Sequence, residues 1–270
     1  MLRFFKQLCL ENQLKIMFID THSHIYLKEF ESDLKDVILR SENEAVGQIL
    51  MPAIDNETHG MMLSTEARYP GECISMMGLH PCSVKENFKE ELKIVKEHFT
   101  KRSFVAVGET GLDFHWDLTF TKEQYESFQI QIELALEYDI PVVIHSRNSI
   151  DECIKVISEQ QNGKLKGVFH CFSGSIEQAN QAIDLGFYLG IGGVVTFKNS
   201  GLDKVMEHVD LKHIVLETDS PYLAPVPFRG KRNESSYLKY VVEKLAEIKS
   251  ISKNDIAEIT TANAKKLFNI

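Results

Sequence analysis

Short apolar runs recur along the chain, separated by segments whose apolar residues fall at helical spacing. Several runs are continuous, such as 142–144 (VVI) and 214–216 (IVL), which is typical of parallel strands buried on both faces. The pattern predicts eight strands with helices between them. The predicted strands are Phe18–Asp20, Val46–Pro52, Cys73–Leu79, Phe104–Gly108, Pro141–His145, Gly167–His170, Phe187–Gly190 and His213–Glu217.

Helix signals lie between these strands. Residues 121–124 (TKEQ) and 175–178 (SIEQ) both fit a capping box, the side-chain pattern that starts a helix. The second helix is predicted to stop at Gly186, because glycine readily takes the left-handed conformation that ends helices. Asn254–Phe268 predicts a final helix that closes the bottom or side of the domain.

Strands alternating with helices over 270 residues predict a single α/β domain. The element count fits a doubly wound open sheet as well as a (β/α)₈ TIM barrel, which usually needs about 250 residues. Polar, ligand-type residues follow six of the eight predicted strands, and the carboxyl ends of the strands form the active-site face of a barrel. We therefore predict a TIM barrel over residues 17–270, with residues 1–16 as an N-terminal extension, either an appended tail or a short helix.

The polar residues at the strand ends are of types that bind metal ions. His22 and His24 are two positions apart on an extended segment, so both imidazoles point the same way. Glu109 follows a buried run, where a carboxylate is costly unless it is paired or binds a metal, and its two oxygens could bridge two ions. Singly, a histidine after an apolar strand is more often a hydrogen-bonded core residue, but several together indicate a metal site. The candidate ligands are His22, His24, Glu109, His145, His170 and Asp219.

This mixture of imidazole and carboxylate donors suits zinc, manganese, iron, cobalt or nickel, and does not choose among them. Magnesium is less natural against so many imidazoles. Glu109 and Asp219 are the candidate catalytic residues. Asp219 is expected to bind the first ion and to take the proton from attacking water.

Basic residues near these ligands indicate a phosphate-containing substrate. Arg147 lies two positions after a candidate ligand, and the Arg229–Arg232 loop follows the last strand. Cationic forks of this kind suit phosphate, although such a loop can also be merely solvated. His80 could hydrogen-bond a phosphate or leaving group, or could hold its own turn. His115 and Trp116 could touch substrate or pack as part of a lid.

Composition limits the binding modes and the cellular location that we expect for the protein. The formal net charge of −9 argues against a protein that coats long nucleic acid by bulk electrostatics. The five cysteines contain no C-x-x-C pair, and no secretory signal is evident, so we predict reduced thiols and a cytoplasmic location. No apolar run reaches the roughly 18 residues that a membrane span needs. We predict no membrane association and no obligate protein partner.

Seven segments, in order, resemble the TatD family of metal-dependent deoxyribonucleases. The resemblance extends from Met17 to about Phe268, essentially the whole chain. Each segment alone is modest evidence, but the ordered series is highly specific. The segments are DTHSH at 20–24, GLHP at 78–81, VGETGLDF at 107–114, PVVIHSR at 141–147, HCFSG at 170–174, ETDSPYLAP at 217–225 and RGKRNE at 229–234.

The resemblance implies a TIM-barrel hydrolase of the amidohydrolase-like superfamily with two divalent metal ions. These would be Mg²⁺ or Mn²⁺ in activity, with Zn²⁺ or a similar ion in crystals. It implies a DNA or nucleotide substrate with single-stranded 3′ ends, cut by 3′–5′ exonuclease activity. The ligands it implies are His22, His24 and Asp219 for one ion, His145 and His170 for the other, and Glu109 as the bridge.

Two other functions remain open at this point. One is an ester or amide hydrolase, of the lactonase or aminoacyl-tRNA deacylase type, that uses the same dinuclear centre. Barrel folds host many reactions, so family membership does not fix the bond cleaved. The other is a non-catalytic binding protein on the same barrel, against which the presence of all six ligand types argues.

The chain departs from the family pattern at two positions. After the H-x-H pair the family usually continues Leu-Asp, whereas this chain has Ile25 and Tyr26. After the GLHP segment the family often has a further histidine, whereas this chain has Cys82. Neither departure removes a predicted metal ligand. Both are expected to alter the rim of the pocket.

Overall fold

The computed structural model describes residues 18–270, in which eight parallel strands alternate with helices. The predicted extension at 1–16 lies outside the described residues. The strands are β1 (Phe18–Asp20), β2 (Val46–Met51), β3 (Cys73–Ser75), β4 (Val107–Asp113), β5 (Val142–Arg147), β6 (Gly167–Phe169), β7 (Phe187–Ile191) and β8 (Ile214–Leu216). The helices are α1 (Leu34–Asn43), α2 (Asn56–Arg68), α3 (Phe88–Lys101), α4 (Thr121–Tyr138), α5 (Ile150–Gln160), α6 (Ile176–Asp184), α7 (Leu202–His208), α8 (Leu238–Lys249) and α9 (Lys253–Phe268), with short 3₁₀ turns between some of them.

The strands follow chain order in two parallel sheets, β1 to β3 and β4 to β8. Two parallel bridges connect the sheets. Met77 pairs with Val107 between β3 and β4, and Ser23 pairs with Ser220 just beyond the ends of β1 and β8. The predicted single-domain α/β barrel is therefore confirmed, and the open-sheet alternative is excluded. No helix within residues 18–270 is both long enough and apolar enough to cross a bilayer.

The inside of the barrel is a separate apolar cluster. It includes Ile19, Val143 and Val215, which lie on β1, β5 and β8, and it is completed by Leu267 and Phe268 of α9. This last helix covers the amino-terminal end of the barrel, where an Asn263 side-chain amide donates to the backbone oxygen of the first residue of β8 at 2.8 Å. The predicted final helix is confirmed, with its start one residue earlier.

The two predicted capping boxes have different outcomes. The one at 175–178 is confirmed, and Gly186 follows α6 with φ at +86°. The one at 121–124 is wrong, because α4 starts there without a side-chain cap. The amide of Gln124 is engaged elsewhere: its oxygen accepts the backbone N–H of Asp113 at 2.9 Å.

The boundaries of β4 differ from the prediction in a way that matters for the site. The predicted strand stops at Gly108, whereas β4 runs from Val107 to Asp113 and is buried throughout. Glu109 is thus inside a strand rather than after one. Gly111 has φ at +128°, and a Cβ at this position would lie 2.1 Å from the backbone oxygen of His145. Only glycine lets β4 and β5 approach this closely.

Candidate metal centre

Glu109 lies at the middle of a buried cluster at the carboxyl end of the barrel, with 1% of its surface exposed. Its two carboxylate oxygens face different histidines. Oε2 is 3.1 Å from His22 Nε2 and 3.5 Å from His24 Nε2. Oε1 is 2.9 Å from His145 Nδ1 and 3.3 Å from His170 Nε2. One carboxylate therefore stands between two groups of imidazoles, an arrangement suited to bridging two cations.

The first group also contains Asp219. Its Oδ1 is 3.8 Å from the Nε2 atoms of both His22 and His24, which are 3.3 Å apart. Asp219 follows β8 in the left-handed region, with φ at +59°, a conformation uncommon for a residue with a Cβ and typical of functional sites. Its backbone N–H donates to the His22 oxygen at 2.9 Å. These three side chains offer one nitrogen or oxygen each to a shared point.

Tyr26 fixes which nitrogen of His24 faces the cluster. Its hydroxyl donates to the Pro52 oxygen at 2.7 Å and lies 3.1 Å from His24 Nδ1. Because that hydroxyl proton is used, Nδ1 must be the donor in the second contact, which leaves a lone pair on Nε2. Tyr26 is only 5% exposed. The expectation that it alters the pocket rim is therefore wrong: it lies behind a candidate ligand.

The second group contains His145 and His170, and each ring touches a further carboxylate. His145 Nε2 is 2.9 Å from Asp113 Oδ2, and His170 Nδ1 is 3.1 Å from Glu217 Oε1. Such outer carboxylates orient metal-binding imidazoles and raise their basicity. Each of the two histidines is thus held in place by a second carboxylate in addition to Glu109.

Asp113 and Glu217 were missed by the sequence reasoning. The available signal was that each lies in a buried stretch, GLDF or LETD, where an unpaired carboxylate is costly. Glu217 also depends on its neighbour across the sheet. A Cβ at Gly190 would lie 2.2 Å from Glu217 Oε2, so glycine at this position makes room for the carboxylate.

The electrostatics of the cluster favour a cation. Burial raises the pKa of Asp219 to about 6. Burial would also raise the pKa of Glu109, but the surrounding imidazoles, His80 foremost, hold it well below its ordinary value. For His170, burial opposes protonation, yet Glu217 and Glu109 raise its pKa to about 10. Positive charge is therefore stabilised here, and the imidazole and carboxylate donors fit a divalent transition metal.

His80 differs from the other histidines of the cluster. Its Nε2 is 3.4 Å from Glu109 Oε1, while its Nδ1 accepts the backbone N–H of Cys82 at 3.0 Å. The neutral ring therefore carries its proton on Nε2, directed toward the site, and acts as a donor rather than a ligand. Cys82 makes this contact through its backbone, so a cysteine in place of histidine leaves the contact intact.

The predicted basic residues lie at the mouth of the site but are not equivalent. Arg147 ends β5, is exposed, and has its guanidinium carbon 5.1 Å from the centroid of the Trp116 ring. Arg229 is exposed in the loop after β8, 4.0 Å from the ring of Phe197. Both guanidinium groups rest on aromatic rings and remain open to solvent.

Arg232 and the two residues after it make contacts that hold this segment to the rest of the protein. Arg232 donates to both carboxylate oxygens of Asp33 at 2.8 and 2.7 Å. Asn233 is buried and bonds two backbone oxygens after β8. Glu234 pairs with Arg40 at 2.6 Å. The expectation that the whole loop positions substrate is therefore wrong for Arg232, whose guanidinium is occupied.

A parallel α/β barrel with a cluster of imidazoles and carboxylates at the carboxyl ends of its strands defines a class of metal-dependent hydrolases. The sequence profile of the family described as TatD related DNase matches residues 19–269. The chain therefore belongs to the TatD family of metal-dependent hydrolases.

Individual relatives agree with this assignment. The chain is 39% identical to the uncharacterized metal-dependent hydrolase YabD of Bacillus subtilis, over 94% of this chain and 100% of YabD. It is 30% identical to a protein of Pectobacterium parmentieri named 3′-5′ ssDNA/RNA exonuclease TatD, over 90% of this chain and 95% of that protein. The crystal structure of YjjV, a TatD homologue of Escherichia coli, superimposes with a TM-score of 0.89 at 30% identity, covering 95% of this chain and 100% of YjjV.

Proposed function

We propose that the protein is a dinuclear phosphodiester hydrolase that shortens single-stranded DNA from the 3′ end. The observation that carries this proposal is that the two oxygens of Glu109 contact different imidazoles, Oε2 that of His22 and Oε1 that of His145. A carboxylate shared in this way supports two adjacent cations, the arrangement found in enzymes that cleave phosphodiester bonds. The exonuclease name of the Pectobacterium relative supports the choice of substrate.

The proposed ligands divide along the same line. Imidazoles from neighbouring elements would hold each ion together with the Glu109 carboxylate. Divalent ions such as Mg²⁺, Mn²⁺ or Zn²⁺, when bound, supply Lewis acidity and lower the pKa of water. His22, His24 and Asp219 would hold the first ion, His145 and His170, which both contact Glu109 Oε1, would hold the second, and Glu109 would be shared.

The surrounding residues have separate tasks in this proposal. With a pKa near 6, Asp219 is ionised at neutral pH and accepts the proton of the attacking water. The Nε2–H of His80 donates to a phosphoryl oxygen. Arg147 and Arg229, both open to solvent at the mouth, hold phosphates of the strand. Their positive charge favours a phosphodiester over a neutral lactone or amide.

The test uses end-labelled single-stranded DNA. The protein is stripped of metal, then supplied with Mg²⁺, Mn²⁺ or Zn²⁺, and compared with Glu109→Gln and Asp219→Asn. Glu243→Gln, a carboxylate on the outer helix α8 paired with Lys253, is the matched control. We expect stepwise shortening from the 3′ end that requires metal, is lost in both site variants and is kept in the control.

Intact DNA in the presence of bound metal would overturn the substrate assignment. Lactones and aminoacyl-tRNA would then be the substrates to assay with the same variants. Loss of their hydrolysis in Glu109→Gln would leave the metal centre in place and assign it to ester cleavage.

A further inference from the structure

One large aromatic side chain is open to solvent at the mouth of the barrel. Trp116 follows β4, is 69% exposed, and is the only tryptophan of the chain. Arg147 places its guanidinium carbon 5.1 Å from the centroid of the indole ring. We propose that Trp116 and Arg147 form a stacking subsite for one base of a single-stranded nucleic acid. The inference rests on the proposed function and adds to it the residues that recognise the base.

The loop that carries Trp116 is held by its backbone. Asp113 Oδ1 accepts the backbone N–H groups of His115 at 2.9 Å and of Trp116 at 3.1 Å. The ring of His115 packs edge-on against the indole, with 4.7 Å between centroids. The loop is therefore fixed to the end of β4 while the indole surface stays exposed. Preorganisation of this kind reduces the entropy lost when a ligand binds.

The same carboxylate connects this loop to the candidate metal centre. Asp113 Oδ2 is 2.9 Å from Nε2 of His145, a proposed ligand. Across the sheet, Asp113 is the register partner of Arg147, which follows His145 by two positions. A single carboxylate thus joins the backbone of Trp116 to the ring of His145. A base resting on the indole would belong to a nucleotide close to the phosphate that is cut.

The chemistry of the pair selects a nucleic acid strand over other ligands. Each nucleotide offers a flat aromatic base, which stacks on indole, and a phosphate, which suits the guanidinium fork. An apolar ester would cover the indole but gain nothing from Arg147. Because the chain carries a net charge of −9, bulk attraction to DNA is weak, so local contacts must supply the affinity. Stacking is worth about tenfold in affinity for one base.

Since Trp116 is the only tryptophan, its fluorescence reports on this subsite alone. The Glu109→Gln protein, which is not expected to cut DNA, is titrated in Mg²⁺ with a thymidine hexamer and with an abasic hexamer of equal charge. We expect the thymidine hexamer to quench the emission and to bind about tenfold more tightly than the abasic one. Equal quenching and equal affinity for the two hexamers would overturn the subsite.

Kinetics of the metal-loaded enzyme give an independent readout. Trp116→Ala is expected to raise KM for single-stranded DNA about tenfold and leave kcat within about twofold. Trp116→Phe, which keeps an aromatic ring, should bring KM most of the way back to the wild-type value. Leu118→Ala is the matched control, because Leu118 is a 61% exposed apolar residue two positions further along. An unchanged KM in Trp116→Ala, while the wild-type enzyme shortens DNA, contradicts the subsite and leaves the proposed function standing. If the wild-type enzyme does not shorten DNA, the function fails, and the two hexamers still decide the subsite.

Discussion

The two ends of the barrel are built from the same eight strands but bury opposite kinds of side chain, apolar at one end and polar at the other. At the amino-terminal end, Leu267 and Phe268 of α9 fill the opening with apolar side chains that contact the interior cluster. At the carboxyl end, Glu109, His22 and His170 are equally buried but polar. Burying apolar surface stabilises the fold, whereas burying charge opposes it unless a counter-charge is present. The amino-terminal end therefore contributes stability. The carboxyl end contains the buried polar groups of the candidate site, and the rest of the molecule must offset the free-energy cost of burying them.

The largest expected effect separates the two ends. Asp219→Asn is expected to lower kcat on DNA by ~10³-fold or more, because it removes the group that accepts the proton from water. The Asp219 side chain is only 14% exposed, so removing its charge is expected to raise the free energy of unfolding of the metal-free protein by about 1 kcal/mol. Activity assays and denaturant unfolding after chelation measure the two effects. A variant that loses activity and also loses stability would contradict the comparison.

The reverse experiment changes the apolar end. Leu267→Ala is expected to reduce the free energy of unfolding by about 2–5 kcal/mol, because it leaves a cavity between α9 and the barrel interior. At 25 °C, kcat and KM should stay within about twofold of wild type, provided the variant remains folded. Lys266→Ala, an exposed position on the same helix, is the control for both measurements. A large fall in kcat for folded Leu267→Ala would show that the two ends are coupled.

A buried histidine outside both ends gives a pH test. Burial lowers the pKa of His59, on α2, to about 4 from an ordinary value near 6.5. The unfolded chain therefore binds the proton first, and His59 costs stability as pH falls from about 6.5 to 4, by about 3 kcal/mol in total. Above pH 6.5 it should have no such effect.

Denaturant unfolding of the metal-free protein across this range is compared with His59→Gln. The variant should show a shallower loss of stability toward acid than wild type. His208→Gln, an exposed histidine at the end of α7, should follow the wild-type curve. Parallel curves for wild type and His59→Gln would mean that His59 does not stay neutral in the folded protein.

The smallest effect concerns the residue behind His24. Tyr26→Phe removes the only hydroxyl in contact with His24 Nδ1 among the described hydrogen bonds, so the ring loses its fixed orientation. We expect metal affinity, measured by competition with a chromophoric chelator, to fall about tenfold. Tyr222→Phe is the control, since that ring also faces His24, at 6.3 Å between centroids. Equal affinity in Tyr26→Phe and wild type would assign Tyr26 to packing alone.

The sequence predicts the parts of this molecule that depend on local pattern. Buried runs indicate the strands, and polar residues after them mark the carboxyl end of the barrel. The six candidate ligands lie close together there, and their binding of metal stays a prediction. The partners of a side chain are harder to predict than the strands, because they depend on which distant residues the fold brings close. Arg232 has the same charge as Arg229, and only the position of Asp33 on the approach to α1 shows that it is occupied.

Contacts between segments also account for the wrong predictions at β4 and α4. A glycine followed by glutamate reads as the end of a strand, but the ladder continues to Asp113 because the buried carboxylates find partners on neighbouring strands. The pattern at 121–124 reads as a capping box, but Gln124 bonds the end of β4 instead. Both errors arise from side-chain contacts between separate segments of the chain. A local sequence pattern carries no information about such contacts.

The seam between β1 and β8 has a consequence for biosynthesis. His22 and His24 are synthesised almost two hundred positions before Asp219, and the two segments meet in the fold where Ser23 pairs with Ser220 and the backbone N–H of Asp219 donates to the His22 oxygen. A partly synthesised chain therefore lacks the complete first position. The helix that closes the opposite end, α9, emerges later still. The candidate metal centre and the enclosure of the barrel are therefore both completed only after Asp219 has been synthesised.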